Sequence, residues 1–428
     1  MKIGLEVHVA LPTKTKLFCS DLAYENQEEP NSNVCPVCLG LPGAKPVLNQ
    51  NALDISARIA KALNCEINEK TWFVRKVYFY PDLPKGYQIT QLDGAIGIKG
   101  YVDLNGKKIG IRRVQIEEDP ARIIREKDYS LIDFNRSGVP LNEIVTEPDI
   151  TSLEELKNFI EELRSILYYQ GVNINQELKT DLNISLAEKR VEVKNVTGVK
   201  NLISAAEYEI KRQSVLIKEG KKINAETRSY KEDSNETVSS REKETEEEYG
   251  FTFEPDLTFY DTTKLTIPKA VIASNIAKEL ADKNEYNEKT IRELILFNRR
   301  NLSLLTSISK EEFKKGVSLI EKFASFGIED YSEQEFRKML DKDVSSIEKE
   351  GFLQLLGRTN KSEKKADKTE IEAGIKEMLS SDKTLFDRGI KDEKAMNFMI
   401  GEVKEKYHIT GKEAADFIKK VIKGMLNN

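Results

Sequence analysis

The chain has 428 residues, with 67 lysines and arginines against 72 aspartates and glutamates, a net charge of −5 and a pI near 5.6. This balance excludes a globally basic nucleic-acid binder but is compatible with a local basic patch. The length predicts about two or three domains, and no apolar run approaches the ~18 residues of a membrane span. Four cysteines are too few for a disulfide scaffold, so we expect a cytoplasmic protein with reduced thiols and no membrane association.

The first predicted element is a strand at the very start of the chain. Apolar residues at odd positions from Ile3 to Val9 alternate with other residues, and this period of two is typical of strands. Glu6 and His8 therefore share one face, ~7 Å apart along the strand. The pair fits either the wet face of a half-buried sheet or a divalent-metal or phosphate site. Acidic residues contributed by other strands are needed to decide between these two interpretations.

The next feature is a cysteine pattern. Cys35 and Cys38 in CPVC have half the spacing of a zinc site, and Cys19 lies sixteen positions before Cys35. In the segment CSD, Asp21 stands where a second upstream thiol would be expected. A closed structural zinc site usually has two cysteine pairs. The pattern leaves both zinc binding and metal-free thiols open.

Two polar, turn-rich segments follow, YPDLPKGYQITQ over residues 80–91 and DFNRSGVPL over residues 133–141. Each places a cation, Lys85 or Arg136, near glycine and proline. Such segments fit tight turns. They fit equally well a loop whose backbone and cation contact a phosphate or a carboxylate.

An acidic cluster ends the apolar strand predicted in VQIEEDPARII. Glu117, Glu118 and Asp119 are consecutive and precede a proline. Adjacent carboxylates repel one another unless a cation or solvent intervenes. The cluster is therefore either a solvated turn or part of a cation site.

Two later strands also carry polar side chains on one face. Asp181 and Asn183 share a face in LKTDLNISL, and Glu192 and Lys194 share a face in RVEVKNV, where Asn195 follows. Mg²⁺ prefers oxygen ligands and keeps waters, which leaves room for phosphates. No GxxxxGK[ST] or GxGxxG motif occurs. The strands predict a nucleotide-dependent phosphoryl-transfer site without a P-loop.

The order of elements predicts the organisation of the chain. Residues 1 to about 260 mix strands with helices, one opening with a capping box at Ser152 and Glu155 and ending at Gly171, another over residues 204–220. Without regular βαβ alternation, this region is predicted to be α+β. Amphipathic helices follow Pro268, a charged linker is predicted over residues 359–370, and residues 361–428 return to helical periodicity with a net charge of +2.

Taken in order, several segments resemble the GatB family, which forms one of the subunits of aspartyl/glutamyl-tRNA amidotransferases. They are IGLEVHV, PVCLGLPGAKPVLN, YFYPDLPKGYQI, DFNRSGVPLNEIVTEPDI, VEVKN, EYEIKRQ, ETR and EPDL. The tail NFMIGEVKEKY, followed by ITGKEAADFIKKVIKGML, is similar to the YqeY-like helical tail of that family. The chain has no room for the synthetase-like insertion of the archaeal relative GatE.

The resemblance implies a glutamine-synthetase-like catalytic (cradle) domain over residues 1–262, an all-α domain over 263–360 and a tRNA-binding YqeY-like tail over 361–428. It implies a carbon–nitrogen ligase that uses ATP and Mg²⁺ to phosphorylate the side-chain carboxylate of Glu-tRNA(Gln), Asp-tRNA(Asn) or both. Ammonia from a GatA-like amidase subunit would then form the amide. A small GatC-like subunit would complete a cytoplasmic heterotrimer acting on mischarged tRNA.

The resemblance also assigns roles to residues. The expected catalytic residues are Glu6, His8, Glu118, Asp181, Glu192 and Lys194. Of these, His8, Glu118 and Glu192 would hold Mg²⁺. Glu6 and Asp181 would support them or hold a second ion, and Lys194 would contact phosphate. The expected cofactor-binding residues are Lys85, Tyr87, Asn135, Arg136, Asn183, Asn195, Arg228 and Arg241.

The chain departs from the family pattern at several places. NQELKTD is shorter than the family's MEEGSLRCD, EYGFTFEPDL lacks the arginine of DYRYFPEPDL, and TVSSREKE keeps Arg241 without the preceding arginine. The Cys-x-Cys of zinc-bearing members is CSD here. One alternative is a non-catalytic tRNA-binding scaffold whose altered loops fail to close on ATP. Another is a stand-alone carboxylate–amine ligase, although the helical tail has no evident role in it.

Overall fold

The structure is a computed structural model that describes residues 1–23, 29–242, 250–344, 346–358, 368–381, 393–407 and 411–426. Contacts divide the chain into two compact units, Met1–Lys310 and Glu311–Asn428. The predicted domain boundaries after residues 262 and 360 stay predictions. None of the described helices is long and apolar enough to cross a membrane.

The first unit contains the strands, which in chain order are β1 (Lys2–Ala10), β2 (Glu66–Ile67), β3 (Lys70–Thr71), β4 (Val74–Val77), β5 (Tyr87–Thr90), β6 (Gly97–Leu104), β7 (Lys107–Glu118), β8 (Arg122–Arg125), β9 (Ser130–Asp133), β10 (Pro140–Thr146), β11 (Lys179–Ser185), β12 (Val191–Thr197), β13 (Glu226–Lys231), β14 (Glu236–Glu242), β15 (Gly250–Phe253) and β16 (Tyr260–Asp261). Its helices are α1 (Gln50–Ala62), α2 (Leu153–Tyr169), α3 (Val199–Lys218), α4 (Ala273–Asn284), α5 (Glu288–Ile295) and α6 (Arg299–Ser307). The mixture of strands and helices in this unit confirms the predicted α+β class.

A nine-stranded sheet organises the first unit, in the order β14-β13-β12-β11-β1-β10-β7-β6-β2. The predicted first strand is therefore central, antiparallel to β10 on one side and β11 on the other. Its apolar residues, Ile3 to Val9, are fully buried in one core that includes Leu53 of α1, Phe159 of α2 and Leu202 of α3. Because successive side chains alternate between faces, the polar residues of β1 lie on the face away from this core.

The helix predicted after Ser152 is confirmed as α2. The Ser152 side chain accepts a hydrogen bond from the backbone N of Glu155 at 3.0 Å. The predicted capping box is wrong in its second half, since the Glu155 carboxylate accepts from the backbone N of Thr151 and also binds Lys107. The helix ends where Gly171 adopts φ of +106°, as expected for a glycine after a helix.

The second unit is helical. It contains most of α7 (Lys310–Ser325), then α8 (Glu333–Leu340), α9 (Lys349–Leu356), α10 (Lys368–Ser381), α11 (Glu393–Tyr407) and α12 (Gly411–Leu426). The last three share a small apolar core around Ile375, Met399 and Ile418. Helical periodicity in the tail is thus confirmed. The predicted linker over residues 359–370 falls mostly outside the described residues, and α10 already begins at Lys368.

Candidate functional site

The polar face of β1 carries a histidine between two acids. His8 lies opposite Glu143 in the β1–β10 ladder, and its Nε2 is 3.7 Å from Glu143 Oε2. Glu117, near the end of β7, brings Oε1 to 3.5 Å from the same nitrogen. One potential ligand atom from each residue lies within 4.8 Å of the others. We call this set the His8 group (His8, Glu117 and Glu143).

Neighbouring side chains hold the two acids of the His8 group in place. Gln115 Nε2 donates to Glu143 Oε2 at 3.0 Å, and Thr90 Oγ1 donates to Glu117 Oε2 at 3.1 Å. Both carboxylates are buried, so these bonds replace part of the water they have lost. Each acid still has an oxygen directed at the imidazole.

Burial and charge shift the ionisation of the His8 group. Burial by itself lowers the pKa of His8. The hydrogen bond with Glu143 and the negative charges of Glu117, Glu143 and Asp181 raise this pKa by more, so the net value lies well above the ordinary one. Burial and the charge of Glu143 raise the pKa of Glu117 to about 7. A protonated imidazole, together with the guanidinium of Arg113 3.7 Å from Glu143 Oε1, therefore offsets the charge of the two buried acids, and a divalent cation could take the role of the imidazolium.

A second acidic set lies beside the first on the same sheet face. Glu6 on β1 faces Asp181 on β11 in register, and Glu192 comes from β12. Their oxygens also lie within 4.8 Å of one another. We call this set the Glu6 group (Glu6, Asp181 and Glu192). Lys194 Nζ lies 3.5 Å from Asp181 Oδ2 and 3.7 Å from Glu192 Oε1, so an ammonium already balances part of this charge.

A β-bulge shapes the Glu6 group. The β11–β12 register shifts between Thr180 and Leu182, and Asn195 on β12 adopts a left-handed φ of +57°. Asparagine tolerates this conformation better than most residues. The bulge directs the backbone N of Asn195 at Asp181 Oδ1, 2.7 Å away, which fixes that carboxylate. Asn195, predicted as a cofactor contact, here serves through its backbone.

The structure does not bring together the predicted metal set of His8, Glu118 and Glu192. His8 and Glu192 belong to different groups, and Glu118 belongs to neither. Glu118 lies on the opposite face of β7 from Glu117, where its carboxylate accepts from Lys85 Nζ at 2.6 Å and from the backbone N of Ile89 at 2.8 Å. Within the acidic run that the sequence pointed to, Glu117 and not Glu118 lies near His8, and a metal-binding role for Glu118 stays a prediction.

Sequence reasoning also missed Glu143. Its strand reads PLNEIVT and every residue of it is buried, so no clear alternation marks the acid. For Glu117 a signal existed, because Val114 and Ile116 are apolar and period two places Glu118 with them. Counting from those positions would have placed Glu117 with Gln115 on the polar face.

Three predicted cofactor contacts line cavities. Lys85 and Tyr87 line a cavity of ≈ 130 Å³ that also contacts Glu118, on the other side of β7 from the His8 group. Asn183 lines a cavity of ≈ 170 Å³ beside Glu6. Only the second cavity shares a residue with the acidic groups.

Two other predicted contacts are used within the fold. Asn135 is buried, and its Oδ1 accepts from the backbone N of Asn33 at 2.8 Å. Arg136 donates to the carbonyl oxygens of Pro120 and Ala121 at 3.0 and 2.9 Å. The DFNRSGVPL segment therefore holds the cysteine-rich loop and the turn after β7, which accords with the turn interpretation.

The predicted contact Arg228 faces helix α3 rather than the acidic groups. Its Nε lies 3.1 Å from the buried carboxylate of Glu209, and its Nη2 donates to the carbonyl of Thr237 at 2.7 Å. Its neighbour Thr227 lies on the other face, with Oγ1 3.5 Å from Glu192 Oε2. Arg241 pairs in register with Thr227. The segment near 237–252, where the sequence departs from the family pattern, is described only in part, since residues 243–249 lie outside the described residues.

The cysteine pattern does form a compact set. Single ligand atoms of Cys19, Asp21, Cys35 and Cys38 lie within 4.8 Å of one another, and Asp21 Oδ2 is 3.3 Å from Cys38 Sγ. Three sulfurs and one carboxylate oxygen match the donors and number of a tetrahedral zinc site. Asp21 stands in the place of a fourth thiol. We call this set the cysteine group.

Comparisons with known proteins identify the family of this chain. A family model described as the GatB/GatE catalytic domain matches residues 1–268. Relatives named as the B subunit of aspartyl/glutamyl-tRNA(Asn/Gln) amidotransferase include that of Saccharolobus solfataricus, 40% identical over 97% of this chain and 96% of the relative. Those of Sulfolobus acidocaldarius and Persephonella marina are 36% and 35% identical, each over at least 98% of both chains. With a domain match over more than half its length and relatives aligned nearly end to end, this chain belongs to the GatB/GatE family.

Proposed function

We propose that this chain is the GatB-type subunit of a glutamine-dependent tRNA amidotransferase. The observation that carries the proposal is the pair of acidic groups on one face of the central sheet, in a chain that matches such subunits over nearly its whole length. The chain would use ATP and Mg²⁺ to phosphorylate the side-chain carboxylate of Glu-tRNA(Gln), Asp-tRNA(Asn) or both. Ammonia would then displace the phosphate and leave an amide.

The chemistry explains why such a face is needed. A carboxylate is a poor electrophile, and transfer of a phosphoryl group to it brings two anions together. A bound Mg²⁺ would supply charge neutralisation and orientation for the phosphates. The transferred group then leaves as inorganic phosphate when ammonia attacks the acyl carbon, and the nitrogen gives up a proton.

The residues of the two groups fit Mg²⁺ by their donors. The His8 group offers one imidazole nitrogen and two carboxylates, and the Glu6 group offers three carboxylates. His8 would bind in its neutral form, so its proton must leave when the cation enters. Lys194, which contacts Asp181 and Glu192 of the Glu6 group, would contact a phosphoryl oxygen.

The finer assignments remain proposals resting on the resemblance. They are a glutamine-synthetase-like catalytic domain over residues 1–262, a helical domain over 263–360 and a tRNA-binding YqeY-like tail over 361–428. The chain would work in the cytoplasm as a heterotrimer with a GatA-like amidase subunit and a small GatC-like subunit. The cysteine group would hold a structural zinc ion that fastens the loop over residues 29–38.

A reconstituted complex tests the proposal. Mixed with its amidase and small subunits, the chain should consume ATP and form amide only when mischarged tRNA is present. Separate assays with Glu-tRNA(Gln) and Asp-tRNA(Asn) identify the acceptor. ATP hydrolysis by the lone chain with free glutamate would overturn the proposal in favour of a stand-alone ligase. Binding of tRNA with no ATP use under any condition would overturn it in favour of a scaffold.

A further inference from the structure

Lys16 is a completely buried lysine beside the cysteine group. Its relative exposure is 0%. Its backbone N donates to the carbonyl of Asp21 at 2.8 Å, and the backbone N of Leu17 donates to that of Gly138 at 2.8 Å, so the backbone here is held from both sides. A buried ammonium costs several kcal/mol unless it meets an anion and hydrogen-bond acceptors. The question is which anion Lys16 meets.

The contacts of Lys16 leave one candidate. Nζ donates to the backbone carbonyl of Asn33 at 2.9 Å and lies 3.7 Å from Cys38 Sγ. Within the described ranges, no salt bridge joins this ammonium to a carboxylate. The carbonyl is neutral. The sulfur of Cys38 is therefore the contact that can carry negative charge.

We propose that Lys16 is a positioning residue for the metal bound by the cysteine group, where its fixed charge stabilises the thiolate shell. This inference rests on the proposed zinc site. Three thiolates and one carboxylate around Zn²⁺ carry a net charge of about −2. The Lys16 ammonium, buried against one of the sulfurs, reduces the net charge of the buried assembly to about −1. Low polarity around the pair strengthens the attraction.

The proposal distinguishes the metal-bound chain from the metal-free chain. With zinc bound, the ammonium balances an anionic shell, and its loss removes that attraction. Without zinc, the ammonium contacts one sulfur and not an anionic metal shell, so an apolar replacement of similar size should destabilise the metal-free chain less than the zinc-bound chain. A purely structural lysine would contribute equally to both forms.

The test compares Lys16→Met with Lys107→Met, which removes one lysine from a partly exposed pair with Glu155 and changes the net charge equally. Zinc affinity of the full chain is measured by competition with a chromophoric chelator. Unfolding temperature is measured with zinc and after chelation. Lys16→Met should weaken zinc binding about 10- to 100-fold, the usual effect of residues behind metal ligands. The zinc-induced rise in unfolding temperature should shrink, because the unfolding temperature of the zinc-bound chain should fall by more than that of the metal-free chain. Lys107→Met should leave zinc affinity unchanged.

Lys16→Arg separates charge from packing. It keeps the positive charge but changes the shape of a fully buried side chain, so it should unfold at lower temperature yet bind zinc more tightly than Lys16→Met. Zinc affinity of Lys16→Met within about twofold of wild type would overturn the role of Lys16 and leave the zinc site standing. Equal destabilisation of both forms would also overturn it. A wild-type chain that binds no zinc would overturn the zinc site itself, and this inference with it.

Discussion

His8 and Glu143 stand opposite one another across the β1–β10 ladder, with Nε2 3.7 Å from Oε2. The ladder fixes this pairing, because any one-residue slip of β10 would turn Glu143 into the core. The polar face of the sheet is therefore organised by backbone register. Its cation-binding capacity follows from which side chains that register brings together.

Removing the imidazole should stop catalysis without affecting tRNA capture. His8→Ala deletes the nitrogen ligand of the His8 group, and amide formation by the reconstituted enzyme is expected to fall at least about 100-fold. Affinity for mischarged tRNA, measured by filter binding, should change by less than about twofold. Turnover at the wild-type rate would contradict the assignment of His8.

Two adjacent acids should respond differently to the same substitution. Glu117→Gln removes a ligand of the His8 group and should weaken Mg²⁺ binding by at least about tenfold in calorimetric titrations. Glu118→Gln leaves Lys85 without its charged partner, so it should lower the free energy of unfolding by about 3 kcal/mol while Mg²⁺ affinity stays close to wild type. Weakened Mg²⁺ binding in Glu118→Gln with unchanged Mg²⁺ binding in Glu117→Gln would instead make Glu118 the metal ligand.

The bulge at Asn195 should tolerate glycine but not a β-branched residue. Asn195→Gly fits the left-handed φ of +57°, whereas Asn195→Val is strained there by about 1–2 kcal/mol. We expect the valine variant to lose stability and ATP-dependent activity together, because the backbone N that fixes Asp181 is displaced. Thermal unfolding and amide formation check this. Equal behaviour of the two variants would mean that the bulge does not position the Glu6 group.

Low pH should weaken one contact of the second unit. The hydrogen bonds of Glu335 with Arg358 hold the pKa of this carboxyl at about 2, below its ordinary 4.5. A depressed folded-state pKa contributes stability above pH 4.5 that is lost as the pH falls towards 2. Glu335→Gln should therefore cost about 1 kcal/mol at pH 7, since both side chains are partly exposed.

Urea unfolding at pH 7 and pH 2.5 measures this difference. The cost of Glu335→Gln should be clear at pH 7 and mostly gone at pH 2.5. Arg337→Met, which removes a more exposed ion pair of the same helix with Glu333, serves as the control and should show little effect at either pH. A cost that persists unchanged at pH 2.5 would contradict an origin in the charge of Glu335, since glutamine keeps the cap contact with Ser332.

Deletion of residues 361–428 should weaken tRNA binding by at least about tenfold, and the difference should shrink as salt rises, if the tail neutralises phosphates. Binding isotherms at several salt concentrations give the slope. Mg²⁺ affinity of the deleted chain should match wild type, because both acidic groups lie in Met1–Lys310. Unchanged tRNA affinity would show that the tail has another role.

Local patterns in the sequence predicted several features of the structure correctly. Alternation along residues 3–10 placed Glu6 and His8 on one polar face, and the turn chemistry at Ser152 and Gly171 bounded a helix, because these features depend on residues close together in the chain. Alternation likewise placed Asp181 with Asn183 on one face of β11, and Glu192 with Lys194 on one face of β12. The motif segments carried the family resemblance that the comparisons later bore out.

Long-range pairing decided the rest. The sequence by itself determined the first strand, the supply of acids and the family. Only the tertiary structure decided that Glu117 and Glu143, and not Glu118, meet His8, and that Arg228 is used inside the fold. The physical reason is that β1 pairs with β10 and β11, segments more than a hundred residues away in the chain, and no local period specifies which of their side chains will touch.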